Sequence, residues 1–269
     1  GGGALPKHVG EFFANLGLKI QEGFGLTETS PFVTVNEFER QVYGTVGRVA
    51  PRQFVAIQNI ETKEIITIQH YDSFDPNFAS EEGEILTKGP NVMKGYFQNK
   101  EETDKVFDEE GWFHTGDIGR FEKGYLKITD RKKEMFKTSG GKYVAPQVVE
   151  NAMKESFFIE QIMVIGDGEK MPAAFIQLNF DFVKDWAKRK GFEIGTNAEE
   201  IIKNPRLLDR IQKEIDNHNK QFGNWEKVKK FELTPDIWSI ESGHLTPTMK
   251  LKRKVVTEKY KDLINAIYS

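Results

Sequence analysis

Three stretches of this 269-residue chain combine glycine with side chains able to do chemistry. The first is "EGFGLTETSP", residues 22–31. Gly23 and Gly25 would let the backbone approach a ligand closely. Phe24 offers a flat face on which a base could stack. Thr27 supplies a hydroxyl suited to a phosphate oxygen, and Glu28 a hard oxygen ligand for Mg²⁺. The same letters also suit a plain strand-to-turn connection with an incidental acid. The second stretch is "GWFHTGDIGRF", where Asp117 stands between Gly116 and Gly119. A carboxylate so placed could accept hydrogen bonds from both hydroxyls of a ribose, a common nucleotide device. Thr-Gly-Asp is equally good turn chemistry without a ligand. His114 reads as a packed turn histidine rather than a catalyst.

The third stretch is "LTPTMKLKRKVV", residues 245–256, with Lys250, Lys252, Arg253 and Lys254 crowded behind a Thr-Pro turn. Arg253 and Lys254 read as a solvated helix start. One of the two lysines could instead offer a mobile ammonium to a developing phosphate charge. "TSGGKY", Thr138 to Tyr143, is not a P-loop. That loop needs a glycine where Phe136 stands and a Ser or Thr where Tyr143 stands.

The elements that must position these groups fall in two halves. A helix is expected over residues 7–17 and short strands over about 44–90, among them "QFVAIQNI", "KEIITIQ" and "GEILTKG", which suggest a small barrel or sheet. Asn99 and Glu102 form a capping-box pattern for a helix over 100–107. The second half mixes strands ("QIMVIGD", "AAFIQLN") with helices over 182–190, capped by Asp181, over 205–222, and from about 253. A boundary is expected at Asp130, a charged pivot that stays solvated.

Composition narrows the classes. The 38 basic residues nearly balance the 41 acidic ones, a net charge of −3, which argues against bulk nucleic-acid binding. With no cysteine there is no disulfide frame, thiolate metal site or cysteine nucleophile. No apolar run approaches a membrane span of roughly 20 residues. The expected setting is cytoplasmic.

Taken in order, "GFGLTETS", "GWFHTGDIG", "GYLKITDRKKEMFKTSGGKYVAPQVVE" and "LTPTMKLKRK" resemble the adenylate-forming superfamily, most of all its long-chain fatty acid–CoA ligases. The resemblance implies an α+β architecture. Residues 1–129 would be the C-terminal part of the large AMP-binding domain, with a small distorted β-barrel subdomain; residues 130–269 would be a separate small α+β lid domain. It also implies roles. Gly2, Gly3 and Ala4 would lie along the adenine and Phe24 would stack on it. Thr27 would contact the α-phosphate, with Gly25 in the same turn, and Glu28 would hold Mg²⁺. Asp117 would bind the ribose, and Arg131 would reach ribose or phosphate, with Asp130 as the pivot. Ser139, Gly140 and Gly141 would line the path of CoA. Lys252 would be the adenylation lysine, with Lys250 as the alternative because Leu251 replaces the glycine that usually precedes it.

The implied substrates are small molecules: a fatty acid, ATP (released as AMP) and CoA, with no nucleic acid and with room for peripheral membrane association of the parent enzyme. The Ser/Thr/Gly-rich phosphate loop of the superfamily has no counterpart here. The chain is therefore expected to be the C-terminal portion of such a ligase, inactive alone.

Overall fold

The computed structural model describes Leu5 and residues 7–269, apart from the His8 side chain. Gly2, Gly3 and Ala4 lie outside the described residues. The chain divides into two compact units, with the break between Lys133 and Glu134.

The first unit opens with helix α1 (Lys7–Asn15). Three short strands follow, β1 (Gly23–Phe24), β2 (Thr34–Val35) and β3 (Arg48–Val49), paired antiparallel in that order. The main sheet holds β4 (Phe54–Gln58), β5 (Ile65–His70), β6 (Gly83–Lys88), β7 (Phe113–Glu122) and β8 (Tyr125–Arg131) in the order β5-β4-β6-β7-β8, all antiparallel. Helix α2 (Lys100–Val106) lies between β6 and β7 in sequence.

The expected barrel does not close among the described residues. Instead, the N–H of Val46 donates to the Leu126 carbonyl and that of Leu126 to the Gly47 carbonyl, at 2.8 and 2.9 Å. The chain entering β3 thus covers the β8 edge, while β5 stays an edge strand. Phe24, Val33, Val49, Val55, Ile57, Ile85, Phe121 and Leu126 fill the core beneath.

The second unit begins with a hairpin of β9 (Phe136–Lys137) and β10 (Tyr143–Val144), followed by α3 (Pro146–Met153) with proline in its first turn. Strands β11 (Ile159–Ile165), β12 (Ala173–Leu178) and β13 (Lys230–Thr234) form a sheet in that order, antiparallel and then parallel. Helices α4 (Phe180–Arg189), α5 (Ala198–Ile201) and α6 (Pro205–His218) come between β12 and β13 in sequence; α7 (Arg253–Lys259) and α8 (Lys261–Tyr268) close the chain.

Alternation along the strands sorts this core into two layers. Ile162, Val164, Ala174 and Ile176 pack with Val149, Val183, Leu207, Ile211 and Ile215. Met163, Phe175 and Ala173 pack with Trp238, Val256, Tyr260 and Ile267. Every residue of β12 is buried, which explains text that is apolar except for Gln177, whose Oε1 accepts from the Trp238 N–H at 2.8 Å.

Several expectations change in detail. The cap of α4 is Asn179, which accepts from the Phe182 N–H at 3.0 Å; Asp181 sits inside the first turn. Only half of the capping box at α2 forms, because the Glu102 carboxylate accepts from Lys105 at 2.6 Å while Asn99 accepts from the Glu102 N–H. Helix α6 ends at His218 and the final helix breaks at Tyr260. Asp130 is not solvated: it is 1% exposed, paired with Ile118 within β8.

Candidate nucleotide site

The turn after β1 is shaped by its own backbone. A Cβ on Gly25 would stand 1.9 Å from the Pro31 carbonyl oxygen and 2.4 Å from the Phe32 Cα, so the glycine is required before any ligand arrives. Phe24 is 6% exposed and belongs to the core, not to an open face. Thr27 to Thr29 form a single 3₁₀ turn held by Thr29, which accepts from the Leu26 N–H at 2.8 Å and donates to its carbonyl at 3.0 Å. Thr27 is exposed and Glu28 half-buried.

Sequence reasoning missed the segment that docks on this turn. The Asn91 amide donates to the carbonyls of Thr29 and Phe32 at 2.6 and 3.0 Å. The Met93 N–H donates to the Glu28 carbonyl at 2.7 Å, and the Tyr96 hydroxyl donates to Glu28 Oε1 at 3.0 Å. Burial, and then the Glu28 bond, push the Tyr96 hydroxyl above its ordinary value, so it stays a donor. "GPNVMKGYF" offered only a Gly-Pro turn signal. Among the described residues no cluster of three or more acidic or imidazole groups could hold a metal. A lone carboxylate fits Mg²⁺, which takes few protein ligands and keeps water and phosphate.

Asp117 lies not in a turn but in the ten-residue strand β7. The letters misled because Gly116, at φ +70°, forms a bulge: His114 faces Leu86 and Ile118 faces Glu84, leaving Thr115–Asp117 opposite Ile85 alone. The Thr115 hydroxyl pins the bulge to the Ile85 carbonyl at 2.7 Å, and the Lys132 N–H donates to the Gly116 carbonyl at 2.9 Å. Gly119 does not clear room for a ligand. A Cβ there would stand 2.4 Å from the Lys127 carbonyl oxygen of β8 and 2.8 Å from Ile85 Cδ1. Asp117 is 5% exposed and pairs with Arg131 across the ladder, Oδ1 to Nε at 3.1 Å.

Beside it, buried Glu84 accepts from Lys132 Nζ at 2.6 Å and meets His114 Nδ1 at 3.3 Å. Burial alone would raise the Glu84 carboxyl; the bonds from His114 and Lys132 outweigh it and hold the group below the usual range. His114 also approaches Asp108, 3.8 Å from Nε2.

In the second unit, Ser139, Gly140 and Gly141 form the exposed tip of the β9–β10 hairpin. Gly141 takes φ +79°, its N–H bonded to the Thr138 carbonyl at 2.8 Å, and the Ser139 N–H donates to the Glu169 carbonyl at 2.8 Å. Lys250 and Lys252 flank Leu251 and both are exposed. Leu251 bridges to Leu245, and Thr246 and Lys250 exchange bonds to close the hairpin. Arg253 is not a solvated helix start. Its guanidinium donates to Glu150 Oε1 at 2.5 Å and to the Val164 carbonyl at 3.0 Å, and it approaches Glu134 at 3.5 Å.

Comparison with known proteins agrees with these motifs. A family model for AMP-binding enzymes matches residues 1–97, and one for the AMP-binding enzyme C-terminal domain matches residues 134–269. The long-chain-fatty-acid–CoA ligase FadD15 of Mycobacterium bovis is 35% identical over 270 residues, taking in 100% of this chain and 41% of the relative. Long-chain-fatty-acid–CoA ligase 6 of Rattus norvegicus is 35% identical over 99% of this chain and 37% of its own length. This chain thus spans about two fifths of such relatives.

Among solved structures, ATP-bound MatB from Rhodopseudomonas palustris matches with a TM-score of 0.66 at 25% identity, over 94% of this chain and 43% of that one. The adenylation domain of a carboxylate reductase from Mycobacterium chelonae shares the fold, with a TM-score of 0.71 at 22% identity over 99% of this chain and 38% of that one. Both units match one family, and the chain belongs to the AMP-binding, adenylate-forming enzymes, with its similarity in sequence running to the long-chain fatty acid–CoA ligases.

Proposed function

We propose that this chain is the C-terminal portion of a long-chain fatty acid–CoA ligase, carrying the ribose carboxylate, the phosphate-facing turn and the mobile lysine unit. A fatty-acid carboxylate oxygen attacks the α-phosphorus of ATP, the bond to pyrophosphate breaks, and acyl-adenylate forms. The CoA sulfur then attacks the acyl carbon and AMP leaves. Asp117 accepts from the ribose hydroxyls while Arg131 reaches toward phosphate. Thr27 donates to the α-phosphate. Glu28, oriented by Tyr96, would hold Mg²⁺, which when bound draws charge off the phosphates. Phe24 acts as the anchor of this turn, its ring seated in the core. The Lys252 ammonium offsets charge on the transferring phosphorus, a contribution of about 3 kcal/mol. The Ser139–Gly141 tip serves the second step by admitting CoA.

The observation that carries this reading is Asp117, a carboxylate held at 5% exposure on a pinned bulge with Arg131 opposite. In the full-length ligase, Asp117→Asn should raise KM for ATP about tenfold while the KM for fatty acid stays put. An unchanged KM for ATP ends the assignment. The 269-residue chain alone should form no AMP from ATP, palmitate and CoA.

A further inference from the structure

A polar network in the second unit, buried at Thr234, Trp238, His244 and Tyr260 and open to solvent at Asp236 and Lys259, supports the lysine hairpin, and neither the family motifs nor the steps above assign it a role. Its centre is Tyr260, 6% exposed and stacked on Phe175 with centroids 5.4 Å apart. The Tyr260 hydroxyl donates to Asp236 Oδ2 at 2.6 Å and lies 3.0 Å from Thr234 Oγ1, and it accepts from Trp238 Nε1 at 3.1 Å. Asp236 also holds Lys259 Nζ at 2.9 Å. That ammonium lies 3.4 Å from His244 Nε2, while His244 Nδ1 lies 2.7 Å from Ser242 Oγ. The imidazole is 4% exposed and stacks beside Trp238, centroids 6.3 Å apart. The His244 carbonyl then accepts the N–H of Lys252 at 2.8 Å.

One tautomer satisfies the whole arrangement. Nε2 must accept, because an ammonium can only donate; Nδ1–H then donates to Ser242. A second proton on the ring removes the acceptor and sets a buried imidazolium 3.4 Å from the exposed Lys259 ammonium. The titratable groups facing the ring are Lys259 from α7, Asp236 behind it and Tyr260 at the α7–α8 junction. Ser242 and Trp238 complete its surroundings, and the chain neighbour Glu241 is exposed.

We propose that His244, in its neutral form, is a positioning residue for the adenylation lysine: its ring is locked to the Lys259–Asp236–Tyr260 network and its carbonyl fixes the start of α7 at Lys252. The inference rests on the role given to Lys252 above. Burial first, and the Lys259 charge second, hold the imidazole below its ordinary value, with Asp236 opposing. The neutral form therefore prevails at neutral pH and is lost on acidification.

Two measurements test it. In NMR spectra of this chain, the backbone N–H of Lys252 should move with the titration of the His244 ring as pH falls from about 8 to about 5.5. An amide indifferent to that titration overturns the proposal, whatever the enzyme does. In the full-length ligase, pyrophosphate exchange should fall about tenfold over that range, and thioester formation from preformed acyl-adenylate should lack this acid limb. His244→Gln, which keeps a neutral donor and acceptor, should retain most of the exchange rate at about pH 8 and flatten the limb. An acid limb that survives in His244→Gln also overturns it. Coupled NMR signals with no pyrophosphate exchange at any pH would sink the role of Lys252 and leave the support network standing.

Discussion

At the residue scale, adjacent basic side chains part company. Lys252 is exposed, whereas Arg253 is committed to Glu150 and the Val164 carbonyl. The letters "KLKRK" gave no reason for this, since burial of Arg253 depends on a glutamate 103 positions away. Of the two lysines, Lys252 sits at the N-terminus of α7, its N–H fixed to His244, while Lys250 closes the hairpin next to Met249, which takes φ +61°. Lys252→Ala in the full-length ligase should cut pyrophosphate exchange about 100-fold and spare thioester formation from preformed acyl-adenylate. Lys250→Ala should change exchange less than about threefold. If Lys250→Ala proves the more damaging variant, the assignment passes to it. Glu84 and Asn91 escaped sequence reading altogether: their partners stand 48 and 62 residues away, and only the folded chain brings them together.

At the element scale, helices with apolar stripes were legible, and so were strands β11 and β12 of the second sheet, whereas β13 was not foreseen. Leu207, Ile211 and Ile215 are buried as their spacing requires, and β12 is as apolar as a strand covered on both faces should be. What was not legible was β7. Gly and Thr-Gly-Asp signal a turn locally, but β6 and β8 on either side override that preference by satisfying the backbone of a long strand. The two glycines beside Asp117 therefore answer different needs. Gly116→Ala meets open space and should cost about 1 kcal/mol from its positive φ alone. Gly119→Ala meets β8 backbone and should cost about 3 kcal/mol or more. Denaturant unfolding of both variants checks the order. Equal losses would mean that the β7–β8 approach is looser than 2.4 Å to the Lys127 oxygen implies.

At the scale of the whole molecule, each unit owns a hydrophobic core assembled from its own residues. The change of unit comes between Lys133 and Glu134, past the end of β8 and not within it. Scanning calorimetry of this chain should resolve two transitions, and only the second unit's should carry the His244 dependence. That unit's Tm should be highest above about pH 6.5 and decline as pH falls below it. The sign follows from the lowered native value: the unfolded chain takes up the His244 proton first, so acid favours unfolding. A single transition without that decline would argue against both statements.

The hairpin that displays the lysines also works as a ruler. Leu245 is buried, Leu251 packs on the same core, and Arg253 is tied to Glu150, so the number of residues between these fixed points is set. Exchanging one exposed letter for another between them leaves the spacing intact. Inserting or deleting one would put an arginine's fork at the exposed place of Lys252, or a lysine where two acceptors await a guanidinium. Length, as well as lettering, is what this stretch has to preserve.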